Sequence, residues 1–414
     1  MNAKQNKLPI LNNWISVIKD IVSIFLNEFK IVFKDRGVVI IFIVASLVYP
    51  MLYCGLYKNE TLVNVPIAAV DYSRGKYSEE LLRHLDASPD VKVIKFSTFD
   101  EAKKAFDDRK VHGLFFIPTD FNKKLNNNEQ ATVSVYCDMS SFLYYRSLTL
   151  ASSYSVLDMG NKIQVDRLNA QGITGQEATI ASNPIPFESS ILFNEGMGFA
   201  SFLMPAILML IIHQTLFFGI GMLAGTSREE NRFHELVSTK LQRGGTLRVV
   251  IGKAACYMLM YLVFSFYILE VTPHVFGLPH IGNAIDILKF MIPFLMATIF
   301  FSMTVSAFLP SREIGMIIFL FFSLILLFLS GISWPQSNIN GFWKAFAWIF
   351  PATHGIQGYI KINSMGADIH HVTYENVSLW IQSALYFVTT TVVYYWKIKR
   401  SQEKSEKEVE TSIL

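Results

Sequence analysis

The sequence predicts a polytopic α-helical membrane protein with six transmembrane helices and an extracytoplasmic α/β domain inserted between helices 1 and 2. Three observations predict this. Of 414 residues, 51% are hydrophobic and only 17% are charged, where soluble domains average about 25% charged. Apolar segments close to the roughly 20 residues that a span requires recur six times, with one long hydrophilic stretch after the first. Lysine and arginine gather on the same side of those segments.

Residues 1–36 run polar and basic before the first apolar block, unlike a cleavable signal peptide. Within them, Trp14, Ile18, Ile21, Phe25, Phe29 and Val32 recur at helical spacing, while Lys19, Asp20, Asn27, Glu28 and Lys30 lie mostly elsewhere around the wheel. That pattern predicts an amphipathic helix lying on the cytoplasmic membrane surface.

The expected spans are residues 37–57, Met197 to Gly225, Leu247 to about Leu269, Asp286 to Leu309, Ile314 to Ile332, and Val377 to Trp396. Pro50, Pro205 and Pro293 lie inside them, which helix bundles tolerate where neighbours satisfy the freed carbonyls. Basic residues precede the first span, fill the loop between the second and third (Arg228, Arg232, Lys240, Arg243, Arg248), and follow the sixth in residues 397–414. An even span number with this bias places both termini in the cytoplasm of a cell inner-membrane protein.

Residues 58–195 are then outside. Strand-like runs ("VPIAAVD", "VKVIKFS", "HGLFFIP", "ATVSVYCD") alternate with short helical ones ("YSEELLRHLDA", "FDEAKKAFDDRK", "DFNKKLNN"), the signature of an α/β layer. A longer helix is expected from Ser141 to about Gln171, followed by a Gly/Pro-marked connector.

The chemistry-bearing motifs are mostly absent. Gly252-Lys253 is followed by Ala254 and preceded, five positions earlier, by Leu247, so no phosphate-cradling loop is formed. His234 has no second histidine at metalloprotease spacing, and His370-His371 are adjacent and cannot share a helix face. Cys54, Cys137 and Cys256 are too far apart for a disulfide framework or a paired metal motif. The net charge of +3 implies no nucleic-acid partner. Catalytic and metal sites are therefore not expected. His213 and Gln214, mid-span, are either candidate pathway groups or a neutral histidine hydrogen-bonded between helices. Glu270 is expected at the outer membrane interface.

Two segments carry the functional reading. Directly after the second span, "SREENRFHEL" is expected to open a cytoplasmic helix at residues 226–240, with Ser227 as its cap and Glu229 and Glu230 in its first turn. After the fifth span comes a broken aromatic stretch. Pro335 and Pro351 bracket a helix too short to cross, and Trp334, Trp343 and Trp348 suit the headgroup level. Residues 333–360 are therefore expected to form a re-entrant hairpin in the outer leaflet.

The whole arrangement resembles the permease subunit of ABC-2 type exporters, in particular the larger drug-efflux-like members with a periplasmic domain between the first two spans. The residues that match are Arg228-Glu229-Glu230, Leu236 and Gly252-Lys253, then Ser330, Gly331, Pro335, Pro351 and Gly355 or Gly358. One motif departs from the family: Arg232-Phe233-His234-Glu235 stands where members carry Gly-Thr-x-Glu. The resemblance implies two permease chains, identical or paralogous, around one pathway, each resting on a separate ABC ATPase that holds the ATP and Mg. It implies that Ser227, Arg228, Glu229, Glu230, Arg232, His234, Glu235 and Leu236 couple the permease to that ATPase. It further implies that Ser330, Gly331, Trp334, Pro335, Trp343, Pro351, His354 and Gly355 belong to an outer gate, and that a periplasmic adaptor docks on the external domain. The substrate expected is a drug-like, lipid or envelope compound. A membrane-anchored receptor or scaffold is the alternative. An ion-coupled transporter is disfavoured, because the spans lack several acidic residues and internal repeats.

Overall fold

The computed structural model describes residues 8–186, 189–233 and 245–413. The chain divides into two compact units, one of residues 1–60 and 192–414 and one of Thr61–Ile191.

The first unit is helical. Helix α1 spans Leu8–Lys34. Asp35 breaks it and caps the next helix, its carboxylate accepting from the backbone N–H of Gly37 and Val38. Helix α2 (Arg36–Leu56) contains a π turn at Ile40–Ala45 and Pro50 within its last part. After the inserted unit come α8 (Phe199–Glu229), α9 (Gly245–Phe276), α10 (Ala284–Ser306), α11 (Arg312–Leu329), α12 (Gly341–Trp348), α13 (Pro351–Met365) and α14 (Thr373–Ile413). Five helices among the described residues, α2, α8, α9, α10 and α14, are long and apolar enough to cross a membrane. Helix α11 occupies the place of the expected fifth span and has 18 residues; the side chains of 316, 318–320 and 323 lie outside those described.

Three helices outrun their expected bounds. Helix α8 continues through Glu229, because Thr226-Ser227-Arg228 contains no breaker. Helix α9 passes Leu269 through a π turn at Tyr267–Val271 and stops at Gly277, whose φ of 67° ends the helix. Helix α14 continues past Trp396, since "KIKRSQEKSEKE" is rich in good helix formers.

Helix α8 is the axis of the bundle. Of its most apolar window 83% is buried, against 33% for α2 and 39% for α14. Hydrocarbon offers no drive for helices to associate, so close packing must hold them. Glycines provide it: a Cβ at Gly219 would overlap the buried ring of Phe42, and Cβ atoms at Gly355 and Gly358 would overlap Phe294 and Phe290.

Helix α1 divides the expected apolar stripe, with Val32 buried and Ile18 and Phe29 exposed. Glu28 lies on its packed face at 2% exposure, and Asp20 is half-buried, whereas Ile18, Val22, Leu26, Phe29 and Phe33 are exposed at spacings of four, four, three and four. The polar groups turn inward because α9 presents Arg248 and Lys253 to them.

The inserted unit is the expected α/β layer. Strands β1 (Val65–Asp71), β2 (Val91–Phe96), β3 (Gly113–Ile117) and β4 (Ser134–Cys137) form one sheet in the order β2-β1-β3-β4. β1 is parallel to β2 and β3, and β4 is antiparallel to β3. Alternation along β1 sends Val65, Ile67 and Ala69 to one core with α3 (Lys76–Asp86) and α6 (Phe142–Ala170). It sends Ala68 and Val70 to a second core with α4 (Phe99–Asp107). Short helices α5 (Phe121–Asn126) and α7 (Gln176–Ser182) complete the unit; α7 lies within the stretch expected as connector.

Candidate functional site

One set of polar groups of the helical unit lies where α1, the last turn of α8, the first part of α9 and the first turn of α11 meet. Asp35 and Arg312 form a two-pronged pair, Nη1 to Oδ2 at 2.9 Å and Nη2 to Oδ1 at 2.8 Å. Arg312 Nη1 also donates to Thr226 Oγ1 at 3.3 Å, and its backbone N–H donates to Glu229 Oε1 at 2.9 Å. Arg228 Nη1 donates to the carbonyls of Leu309 (2.9 Å) and Ala307 (3.5 Å). The turn between α10 and α11 is thus gripped by the end of α8. Burial alone would raise the Asp35 pKa. The Arg312 hydrogen bond and charge, with the N–H groups of Val38 and Gly37, outweigh burial and hold it below the ordinary carboxylate value.

A second link joins α1 to α9. Glu28 Oε2 lies 2.7 Å from Lys253 Nζ, both nearly fully buried, and Tyr257 donates its hydroxyl proton to Glu28 Oε1. Arg248 pairs with Asp20 at 2.6 Å. A third link joins the turn after α8 to α14: Ser401 Oγ donates to Asn231 Oδ1 at 2.9 Å, and Phe233 packs on Tyr394. Between α1, α8 and α9 lies a cavity of about 570 Å³, lined among others by Glu28, Lys30, Asp35, Ser227, Glu230, Arg232 and Lys253.

The expected coupling residues fall differently from their sequence reading. Ser227 caps no helix; it sits in the last turn of α8 and its hydroxyl donates back to Leu223 O at 2.8 Å. Glu229 and Glu230 stand at a helix C-terminus, where the dipole opposes carboxylates. Their compensation is local: Glu229 takes the Arg312 N–H, and Glu230 pairs with Arg232 at 2.9 Å. His234, Glu235 and Leu236, like residues 237–240 of the expected helix, lie outside the described residues. Sequence reasoning missed Glu28, Asp35 and Arg312. A span-buried lysine and an aspartate before a span were the only available signals, because the partners lie 225 and 277 positions away.

At the far end of α11, two short helices follow as expected. Ser330 is buried, and its carbonyl accepts from Gln357 Nε2 at 2.8 Å, fixing the turn in which Gly331 adopts φ 90°. Pro335 precedes a short 3₁₀ turn, and Trp334 and Trp343 are exposed. Pro351 opens α13 and is buried, as is His354, set edge-on between Trp348 and Tyr374. Gln382 Nε2 and the Tyr386 hydroxyl, both on α14, donate to the carbonyls of Trp348 and Ile349 and hold the junction of α12 and α13. Gly355 and Gly358 seat α13 on α10. Glu270 Oε2 lies 2.9 Å from His280 Nε2, and the other ring nitrogen of His280 meets Asn363 of α13.

His213 and Gln214 are buried in α8. The expected interhelical hydrogen bond is not found: their side-chain nitrogens and oxygen have no partner among the described residues. The His213 ring instead packs near Phe217 and Phe301.

Comparison with known proteins agrees with this architecture. A family model described as "ABC-2 family transporter protein" matches residues 36–396, from the first residue of α2 to Trp396 in α14. A "Probable multidrug ABC transporter permease YbhR" from Escherichia coli K12 is 20% identical over 298 residues, covering 71% of this chain and 76% of the relative. Its counterpart from E. coli O157:H7 matches equally. With most of its length under one family model, from the Asp35-capped span to the end of the bundle, the chain belongs to the ABC-2 family of transporter proteins.

Proposed function

We propose that this chain is the membrane-spanning permease subunit of an ATP-binding-cassette exporter, working as a dimer and driven by a separate ATPase. On this reading six helices cross the inner membrane (α2, α8, α9, α10, α11 and α14). Both termini lie in the cytoplasm, and the Thr61–Ile191 unit lies outside. The observation that carries it is the cavity between α1, the end of α8 and α9. A partner seated there would touch Glu230 and Arg232 and bear on α1, which is tied to α9 through Glu28–Lys253 and precedes Asp35, itself clamped to α11. Closure of two ATPases on binding ATP would then move several helix ends at once, as rigid-body switching requires. ATP and Mg would sit on the partner. The apolar stripe Ile314, Ile317, Phe321, Leu324 and Phe328 of α11 is exposed at heptad-like spacing and would face the second permease. Helices α12 and α13 would cap the outer mouth. A drug-like, lipid or envelope compound fits apolar spans, and the E. coli relative bears a multidrug name.

The test is co-purification with the ATPase. Two chains of each are expected. Glu230→Arg with Arg232→Glu, whose side chains are about half exposed, should lower recovered ATPase at least tenfold while the permease stays inserted. Unchanged recovery and unchanged ATP hydrolysis in that variant would remove the site from this role. Glu229 is the poorer probe, because reversing it also breaks its bond to the Arg312 N–H.

A further inference from the structure

The turn between α9 and α10 closes on a single residue of α13. Asn363, 2% exposed, bonds to each of the consecutive residues Pro279, His280, Ile281 and Gly282. Its backbone carbonyl accepts from the N–H of Ile281 at 3.0 Å and of Gly282 at 3.2 Å. Its side-chain Nδ2 donates to Pro279 O at 3.4 Å, and its Oδ1 meets His280 Nδ1. Gly282 permits this approach, since a Cβ there would stand 2.7 Å from Ile362 O.

These contacts fix the protons of His280. Pro279 O can only accept, so the Asn363 amide turns its Nδ2 to Pro279 and its Oδ1 to His280. His280 Nδ1 must therefore donate. The other ring nitrogen, Nε2, faces a second acceptor, the Glu270 carboxylate at 2.9 Å. An imidazole donates from both nitrogens only as imidazolium. A neutral ring would leave a bare nitrogen against Oδ1 or against the carboxylate. Among the described residues no lysine or arginine pairs with Glu270, so the His280 ring is its counter-charge.

The other titratable groups around the turn are accounted for. Tyr359 of α13 donates to Leu269 O at 3.3 Å, with Cys54 of α2 in its electrostatic reach. Lys361 of α13 pairs with Glu375 of α14 at 2.6 Å, and Asp286 of α10 with Lys289 at 3.2 Å. His274 of α9 is exposed, and α8 meets the turn only through Ser201, Met204, Pro205 and Leu208.

We propose that His280 is a protonation-sensitive latch: as imidazolium it ties Glu270 of α9 to Asn363 of α13, and on losing its proton it releases one of them. The contact is complete while the ring is charged and weakens as pH rises through the titration of histidine. That the latch would set how firmly the outer cap is held rests on the function proposed above; the latch itself does not.

Amide hydrogen exchange of the full chain in detergent, read by mass spectrometry on peptides containing residues 281 and 282, tests it. Corrected for intrinsic rate, protection should fall about fivefold between pH 6 and pH 8.5, as the loss of one hydrogen bond implies. Glu270→Gln should abolish the fall, because an amide can donate to the bare nitrogen of a neutral ring where a carboxylate cannot. His280→Ala should be as weakly protected at pH 6 as the parent is at pH 8.5. Its missing signal identifies His280 in ¹⁵N spectra of the histidine rings, where both nitrogens should carry protons at pH 6. Equal protection of the parent at both pH values, the same fall in Glu270→Gln as in the parent, or a His280 ring with one proton at pH 6 overturns the proposal. If Glu270→Gln does not fold, the ring spectrum decides.

Discussion

Glu28 and Lys253 show why a charge can persist at a helix contact. Each is nearly buried, at 2% and 7% exposure, and each would be costly alone. Together, with the Tyr257 hydroxyl, they satisfy one another. Glu28→Gln or Lys253→Met should therefore destabilise the protein by about 3–5 kcal/mol, and the double variant Glu28→Met, Lys253→Met by much less. Thermal melting in detergent checks this; additive losses would mean that the two groups act independently. Asp35 offers a pH test. Its folded pKa is lowered, so its contribution is complete above the ordinary carboxylate value near 3.8 and is lost as pH falls below that through the folded value. Asp35→Asn should melt lower than the parent at pH 6, by about 2 kcal/mol, and the gap should narrow below pH 4. A gap independent of pH would assign the effect to the helix cap instead of the charge. None of these pairings was legible in the sequence, because spacing reports neighbours along a helix and not partners on another one.

Helices are held to one another here by glycine contacts and by side chains that bond to helix ends. Phe42 rests in the π turn of α2 against Gly219 of α8, with Tyr257 and Tyr261 edge-on to its ring. Gly219→Ala should cost about 1–3 kcal/mol by overpacking, and Phe42→Leu in the same chain should recover part of it. No recovery in the double variant would place the strain elsewhere. At this scale the sequence was a good guide to where helices exist and a poor guide to where they stop. The hydrophobic run ends at Gly225, yet α8 continues, because Thr226, Ser227 and Arg228 bond back to α8, to α11 or to the turn between α10 and α11. The short helices α12 and α13 were legible, since Pro335 and Pro351 punctuate them.

In the whole molecule, the inserted unit has an apolar core on each face of its sheet, drawn from its own residues. Residues 61–191 expressed alone should fold and melt cooperatively, with strand and helix visible by circular dichroism. A disordered fragment would show that this unit needs the helical one. The helical unit is organised in another way. Its polar links lie at both ends, Glu28–Lys253 and Asp35–Arg312 at one and Glu270–His280 and Lys361–Glu375 at the other, while its apolar stripes on α1 and α11 stay outside.

By itself the sequence determined the membrane class, the α/β insertion, the broken segment after α11 and the family resemblance. These follow from local composition and periodicity, which a chain carries wherever it is read. Only the tertiary structure decided that Glu28 faces inward, that Glu229 holds the backbone of Arg312, and that His280 stands between Glu270 and Asn363. Each depends on side chains brought together from distant positions, where burial leaves a charge no water and a glycine decides how close two helices come.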